Sequence, residues 1–304
     1  MAEKVKAQTE TAIKPPARQK KEKIESPLRK NLKKLSRNKL AMTGAIIIAV
    51  MILLAIFAPL LTAYDPSEVS LPNKLLPPGG EHLLGTDKLG RDVFSRMLYG
   101  GRISIMIGLT GSLGGGLLGV FLGCICGYVG GMFDKIMLRI SEVFMAFPQL
   151  ILVLLMVVFM GQGTWNLVFI FTVTGWMSIY RLVRGRFFSL REENYVEACR
   201  AFGVKKPAIM FSHILPNTLG PVIVAITINT AGYILQESGL SFLGLGVPSG
   251  VATWGNIINA AKAVEVVTNY PWLWIPPGLA ISLFVLGVNF FGDGLRDVFD
   301  PTTR

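Results

Sequence analysis

The chain has 304 residues, of which 51% are hydrophobic and only 16% charged, with a mean hydropathy of +0.52. A soluble domain of this length carries about a quarter charged residues, so the deficit excludes an ordinary soluble protein and points to a membrane. The net charge of +11 is unevenly placed, with thirteen Lys and Arg before Leu40 against four Glu. A hydrophobic run starts at Leu40, so this basic cluster fits a membrane flank better than a nucleic-acid patch, and no nucleic-acid partner is expected.

In chain order, residues 1–25 have the Lys, Glu, Gln, Pro and Ala content of a disordered segment. Residues 27–39 place Leu28, Leu32 and Leu35 on one face of a short amphipathic helix at the headgroups. Residues 40–64 contain no Lys, Arg, Asp or Glu, and the same holds for 103–132, 143–180, 207–236 and 266–292. A helix needs about 20 residues to cross the hydrocarbon, and each run reaches that length. The 143–180 run is too long for one span and is divided by Gly161-Gln162-Gly163-Thr164. An all-α membrane protein with six transmembrane helices follows, over about 40–62, 103–131, 143–160, 166–185, 214–237 and 272–292. The segment before Leu40 is too long for a signal-peptide n-region, and no small-residue cleavage site follows the first run. That run is therefore expected to be an uncleaved anchor.

The loops fix the expected orientation. Residues 62–101 hold four basic and five acidic side chains and residues 240–271 one of each, whereas 181–206 hold seven basic ones. The bias of Lys and Arg toward the inside then places both termini, the 132–142 turn and the 191–217 segment in the cytoplasm. Three cysteines make no disulfide framework. Cys124 and Cys126 point to different sides of one helix and are expected to be small packing residues rather than metal ligands. No Gly-x-x-x-x-Gly-Lys-[Ser/Thr] loop occurs, so the chain does not cradle a nucleotide in that way, and any ATP and Mg belong to a partner.

Three segments carry further pattern. Residues 81–104 read Glu-His-Leu-Leu-Gly-Thr-Asp-Lys-Leu-Gly-Arg-Asp-Val-Phe-Ser-Arg-Met-Leu-Tyr-Gly-Gly-Arg-Ile-Ser. Thr86 or Asp87 is placed to cap a short interfacial helix with Val93, Phe94, Met97 and Leu98 as its apolar patch. Such a helix is expected to lie on the membrane surface or on its neighbours, with direct substrate contact as the alternative. In the second span Gly111, Gly115, Gly119, Gly123 and Gly127 recur every four residues, which predicts a tight helix–helix seam, within the chain or with a second membrane subunit. The polar island 191–217 sets Tyr195, Ala198, Cys199 and Phe202 at i, i+3, i+4 and i+7, one apolar stripe of a helix. Gly203 is expected to cap that helix, Pro207 to open a second, and Pro216 to close the unit.

The island resembles the helix–Gly–helix "EAA" loop through which ABC importer permeases receive their ATPase subunits. That consensus is Glu-Ala-Ala, three residues, Gly, nine residues, then Ile-x-Leu-Pro. Glu197-Ala198-Cys199, Gly203 and His213-Ile214-Leu215-Pro216 stand at that spacing, with Cys199 in place of Ala and His213 in place of Ile. The 81–104 motif, Leu-Ser-Phe-Leu-Gly-Leu-Gly-Val at 240–247, and Gly-Asp-Gly-Leu-Arg-Asp at 292–297 look like the C-type permease subunit of dipeptide, oligopeptide and nickel ABC importers.

The resemblance implies a type I importer permease fold in a bacterial cell membrane. Its parts would be a basic segment 1–39, a first helix 40–62, an extracytoplasmic loop 63–101, a core 102–292 containing the coupling loop 191–217, and a cytoplasmic tail 293–304. The implied partners are a second homologous permease, two ABC ATPases that bind ATP and Mg, an extracytoplasmic peptide-binding protein and membrane lipids. Tyr195, Glu197, Ala198, Cys199, Phe202, Gly203, His213, Leu215 and Pro216 would form the ATPase-docking unit. No catalytic residue or metal site is expected in this chain. Glu237, the one acid in or beside the fifth span, either faces a water-filled path or basic partner or marks a helix end at the outer interface. Peptides are the favoured cargo, with nickel complexes as the alternative. A secondary transporter fits less well, since the spans lack paired charges and repeats.

Overall fold

A computed structural model describes residues 33–299. The expected disordered 1–25, most of the 27–39 amphipathic helix and the last five residues of the tail lie outside the described residues. Among the described residues the structure is helical, with one isolated bridge between Thr86 and Asp92.

Helix α1, Lys39–Ile56, begins where the Asn38 side chain accepts the Ala41 N–H at 3.2 Å. Helix α2, Val93–Val129, runs without a break for 37 residues. The expected interfacial helix and second span are therefore one element. Neither Thr86 nor Asp87 caps it: Asp92 does, accepting the Ser95 N–H at 2.7 Å. Thr86 instead binds the Asn73 carbonyl and the Leu76 N–H, and Asp87 organises its own turn with Arg91.

The third span departs most from expectation. In place of one helix over 143–160 there is α3, Gly131–Met145, then α4, Gln149–Met160, bent from it by 91°. The break falls at Ala146-Phe147-Pro148, where the proline has no N–H to continue α3. With 12 residues α4 is about 18 Å long, short of the roughly 30 Å hydrocarbon. Asp134 of α3 is held by a bidentate pair with Arg184.

Gly161, at φ +81°, ends α4 as the sequence suggested, and α5, Thr164–Leu190, follows. Helix α6, Asn194–Ala201, is the first half of the polar island. A turn at Lys206–Ala208 opens on Pro207, passes into a π-helical turn at Ile209–Ile214, and leads into α7, Leu215–Leu243. Pro216 thus starts α7 rather than closing the island, because a proline is accommodated in the first helical turn, where its missing N–H has no partner to lose. Short helices α8, Trp254–Ile258, and α9, Val264–Asn269, precede α10, Ile275–Phe299. The last helix carries through 293–299, so this part of the expected tail is helical.

Five helices are long and apolar enough to cross a membrane, and the bent α3–α4 pair makes a sixth if taken as one span. Helices α2 and α5 pack along much of their length, α7 and α10 lie alongside, and α1 covers α10. The α1–α10 contact is close: a Cβ on Gly44 would stand 2.4 Å from the Gly287 carbonyl oxygen. At one end of the bundle the 62–92 loop meets residues 252–273. At the other, Phe299 packs over Gly220 and Arg200 stacks on Tyr128, gathering the polar island with the described chain ends.

Candidate coupling site

The island is anchored by one side that the spacing had not singled out. Val196 is fully buried against Phe187, Ile209 and Ile214, with Cys199 and Val204 packed at the edge of the same cluster. Burying a valine or similar side chain contributes about 1.5–3 kcal/mol, enough to hold a two-turn helix against the bundle. The stripe therefore splits. Cys199 turns inward, while Tyr195 (39% exposed), Ala198 and Phe202 (86% exposed) turn away from the protein. Val196 sits one residue from Tyr195, so a window fitted to the largest side chains selects the outer face and passes over the inner one.

The end of α6 matches the expected cap. Gly203 adopts φ +73°; its N–H donates to the Arg200 carbonyl at 3.0 Å, and the Val204 N–H donates to the Cys199 carbonyl at 3.0 Å. This pair of bonds is the Schellman arrangement, which returns the chain sharply and needs a left-handed residue at its centre. The Glu197 carboxylate is exposed and has no hydrogen bond or ion pair among the described residues. His213 is exposed, and its carbonyl accepts the Asn217 side-chain amide at 2.8 Å. Leu215 is half-buried in the cluster and Pro216 exposed. Arg184 and Arg191 stack on Phe188 at 4.6 and 4.4 Å, stiffening the foot of α5 from which the island departs. The result is a rigid knob with an outward face of one acid and two aromatic rings.

The five glycines of α2 face α5. A Cβ at Gly111 would meet Phe171 at 2.8 Å, at Gly119 the Trp176 carbonyl oxygen at 2.6 Å, at Gly123 Val183 at 2.7 Å and at Gly127 Phe187 at 2.5 Å. Gly115 approaches the Gly175 backbone at 3.2 Å. The seam lies within the chain.

Glu237 meets no basic side chain among the described residues. It is fully enclosed, accepting hydrogen bonds from the Ser104 hydroxyl at 2.9 Å and the Ser241 hydroxyl at 2.8 Å. Ser104 in turn accepts the Trp254 N–H at 3.2 Å, so the carboxyl ties α2 and α7 to α8. Ser241 stands one turn further along the same helix, whereas Ser104 is 133 residues away in sequence and is brought over the group by the packing of α2 against α7. No group of three or more metal-ligating side chains exists among the described residues.

Residues 119–304 match the family model described as binding-protein-dependent transport system inner membrane component, and residues 26–78 match that of the N-terminal TM domain of oligopeptide transport permease C. The chain is 43% identical to the oligopeptide transport system permease protein OppC of Bacillus subtilis (strain 168), over 88% of this chain and 87% of the relative. It is 40% identical to the dipeptide transport system permease protein DppC of Alkalihalophilus pseudofirmus, over 92% and 91%. It is 37% identical to the probable D,D-dipeptide transport system permease protein DdpC of Escherichia coli (strain K12), over 88% and 89%. With its bundle of apolar helices and multi-pass character, the chain belongs to the inner-membrane components of binding-protein-dependent transport systems.

Proposed function

We propose that the chain is one permease subunit of an ATP-driven importer of peptides in a bacterial cell membrane, working with a second homologous permease, two ABC ATPases that bind ATP and Mg, and an extracytoplasmic peptide-binding protein. The observation that carries the coupling role is the exposed face of α6. A two-turn helix anchored by Val196 and capped at Gly203 spends no side chain of Tyr195, Glu197, Ala198 or Phe202 on its own fold. An apolar helical knob of this kind fits a cleft in a partner. The names of the relatives support peptides as the cargo. The seven basic residues of 181–206 support a cytoplasmic position for the knob and, with it, for the chain ends gathered at the same end of the bundle.

On this reading the ATPases close on ATP and carry the knob with them. The displacement enters α7 through the π turn Ile209–Ile214 and α5 through the Val196 cluster, and the bundle changes which side it opens toward. ADP and phosphate release reverses the movement. The protein itself forms and breaks no covalent bond. The test is reconstitution: the assembled complex in liposomes should take up peptide with ATP and hydrolyse ATP faster when loaded binding protein is added. Peptide uptake by this chain alone, or a knob reached by impermeant reagents from the extracytoplasmic side, would sink the proposal.

A further inference from the structure

Halfway along the bundle, α3, α4, α5 and α7 line a half-open recess of about 260 Å³ beside the α3–α4 bend. Thr174 and Ser178 are the tenth and fourteenth residues after Thr164, roughly 15–21 Å along α5 at 1.5 Å per residue. Asn229 and Tyr233 stand at a comparable depth on α7, and Gln149 enters from the first turn of α4. Every polar side chain here comes from a charge-free run, and no Lys, Arg, Asp or Glu lines the cavity.

The hydrogen bonding is uneven in an informative way. Several hydroxyls near this depth are satisfied within the bundle, although the buried Tyr180 hydroxyl is not: Thr174 donates to the Ile170 carbonyl at 2.8 Å, Thr227 to the Ile223 carbonyl at 2.8 Å, and Ser112 pairs with Thr230 at 2.7 Å. The side chains of Ser178 and Asn229 have no hydrogen-bond partner among the described residues, and both open on the same cavity. A free amide at membrane depth costs several kcal/mol unless water or a ligand meets it.

Tyr233 is positioned rather than merely present. Its ring stacks on Phe171 with centroids 4.6 Å apart and planes at 10°. Its hydroxyl fills the space left by the missing side chain of Gly175, where a Cβ would come within 1.8 Å, and Gln149 stands beside it.

We infer that this cavity is the chain's share of the cargo path and that it takes the uncharged main chain of a peptide, through its amides, without reading side-chain charge. Amides and hydroxyls offer both donors and acceptors, which matches the alternating N–H and C=O groups of an extended peptide. A cavity below the roughly 300–1,000 Å³ of enclosing ligand sites is one wall of a passage rather than a site that holds its ligand. An acyl chain would leave Asn229 and Ser178 unsatisfied, so a lipid is the poorer occupant.

The inference rests on the proposed importer function and is tested in the complete importer in liposomes. Cys124, Cys126 and Cys199 are replaced by Ala, and Ser178→Cys and Asn229→Cys are introduced one at a time, with Leu235→Cys, exposed and outside the recess, as control. The probe is a small water-soluble methanethiosulfonate, with and without a saturating tripeptide and its binding protein under turnover. Both path cysteines should react, and peptide should slow them at least fivefold while leaving Leu235→Cys unchanged. Asn229→Leu should lower uptake about tenfold, and Asn229→Gln should restore it to within threefold for acidic, basic and neutral peptides alike. Ser178→Cys, at an exposed position, serves if Asn229→Cys assembles poorly. If the unmodified importer takes up peptide but both cysteines react at the same rate with and without it, or only with a hydrophobic maleimide, this inference alone is overturned. If the unmodified importer takes up no peptide, the functional proposal falls and this inference with it.

Discussion

The two polar segments at opposite ends of the bundle, the 62–92 loop and the 191–217 island, are both dense in recognisable motif residues, yet they use them in opposite ways. In the loop, the motif is consumed by its own fold. Gly85 and Gly90 take φ +70° and +73°, and a Cβ on Gly90 would stand 1.8 Å from the Ser70 carbonyl oxygen. The Asp87 carboxylate accepts the Leu89 and Arg91 N–H groups at 2.8 and 3.0 Å and the Arg91 guanidinium at 2.7 Å. His82 pairs with Asp92 at 2.9 Å while Asp92 also caps α2. In the island, by contrast, the backbone is closed by the Gly203 cap while Glu197 and Phe202 stay free. A motif whose side chains satisfy one another specifies a shape. A motif whose side chains stay open specifies a meeting with something else.

The sharpest break of that contrast is Gly90→Ala. A left-handed non-glycine costs roughly 1–3 kcal/mol before the contact with Ser70 is counted, so the total should reach about 3 kcal/mol or more. Folded, membrane-inserted protein should fall several-fold in detergent extracts, whatever partners are present. Normal yield and thermal stability would mean that the loop is not the closed unit described.

Gly119→Val comes next. A side chain there must displace the Trp176 carbonyl and Ile179, both under 3 Å from the new Cβ. Overpacking of this kind costs about 1–3 kcal/mol, read as a lowered melting temperature of the purified chain. A substitution at Gly232, which has open space around it, serves as the control.

Phe202→Ala should behave in the opposite sense. With the side chain 86% exposed, stability should stay within about 0.5 kcal/mol, whereas ATPase co-purification should drop about tenfold, the scale of an aromatic interface anchor. Equal losses in both measurements would erase the distinction between the two regions.

A comparable effect, acting through the backbone alone, is expected at Gly203. No atom lies within 4 Å of the Cβ it would gain, so only the backbone conformation resists. Gly203→Val should weaken assembly by about 1–2 kcal/mol, and Gly203→Asn by less, because Asn tolerates the left-handed region. Identical assembly for Val, Asn and Gly, measured by titration of ATPase against the purified permease, would show that the cap does not set the angle of the knob.

Much of this was legible along the chain because it is local. The Gly203 cap, the Pro207 start and the break at Gly161 depend on residues within a turn of one another. The glycine stripe announced a seam, although its partner, α5, could not be read from α2 alone. What escaped depends on distance or on competing signals. Thr86 and Asp87 were the expected caps, but both are engaged by the loop, and the helix starts later, on Asp92. Pro148 lay inside an unbroken apolar run, so hydropathy hid a bend that the proline itself marks. Glu237 reads as an exposed or path-facing acid until Ser104, 133 residues away, is brought against it.

The segment Lys206–Leu243 has a consequence beyond its role as a span. It is 38 residues of nearly continuous helix, roughly 57 Å from end to end. Its lowest part contains both irregularities, the π turn at Ile209–Ile214 and the imino nitrogen of Pro221, which has no hydrogen to donate. The column therefore has a pliant ankle and a stiff shaft. With about 33 Å of shaft between Pro221 and Leu243, a tilt of about 10° at the ankle would sweep the far tip through roughly 6 Å of arc, so a small nudge at one end becomes a larger excursion at the other.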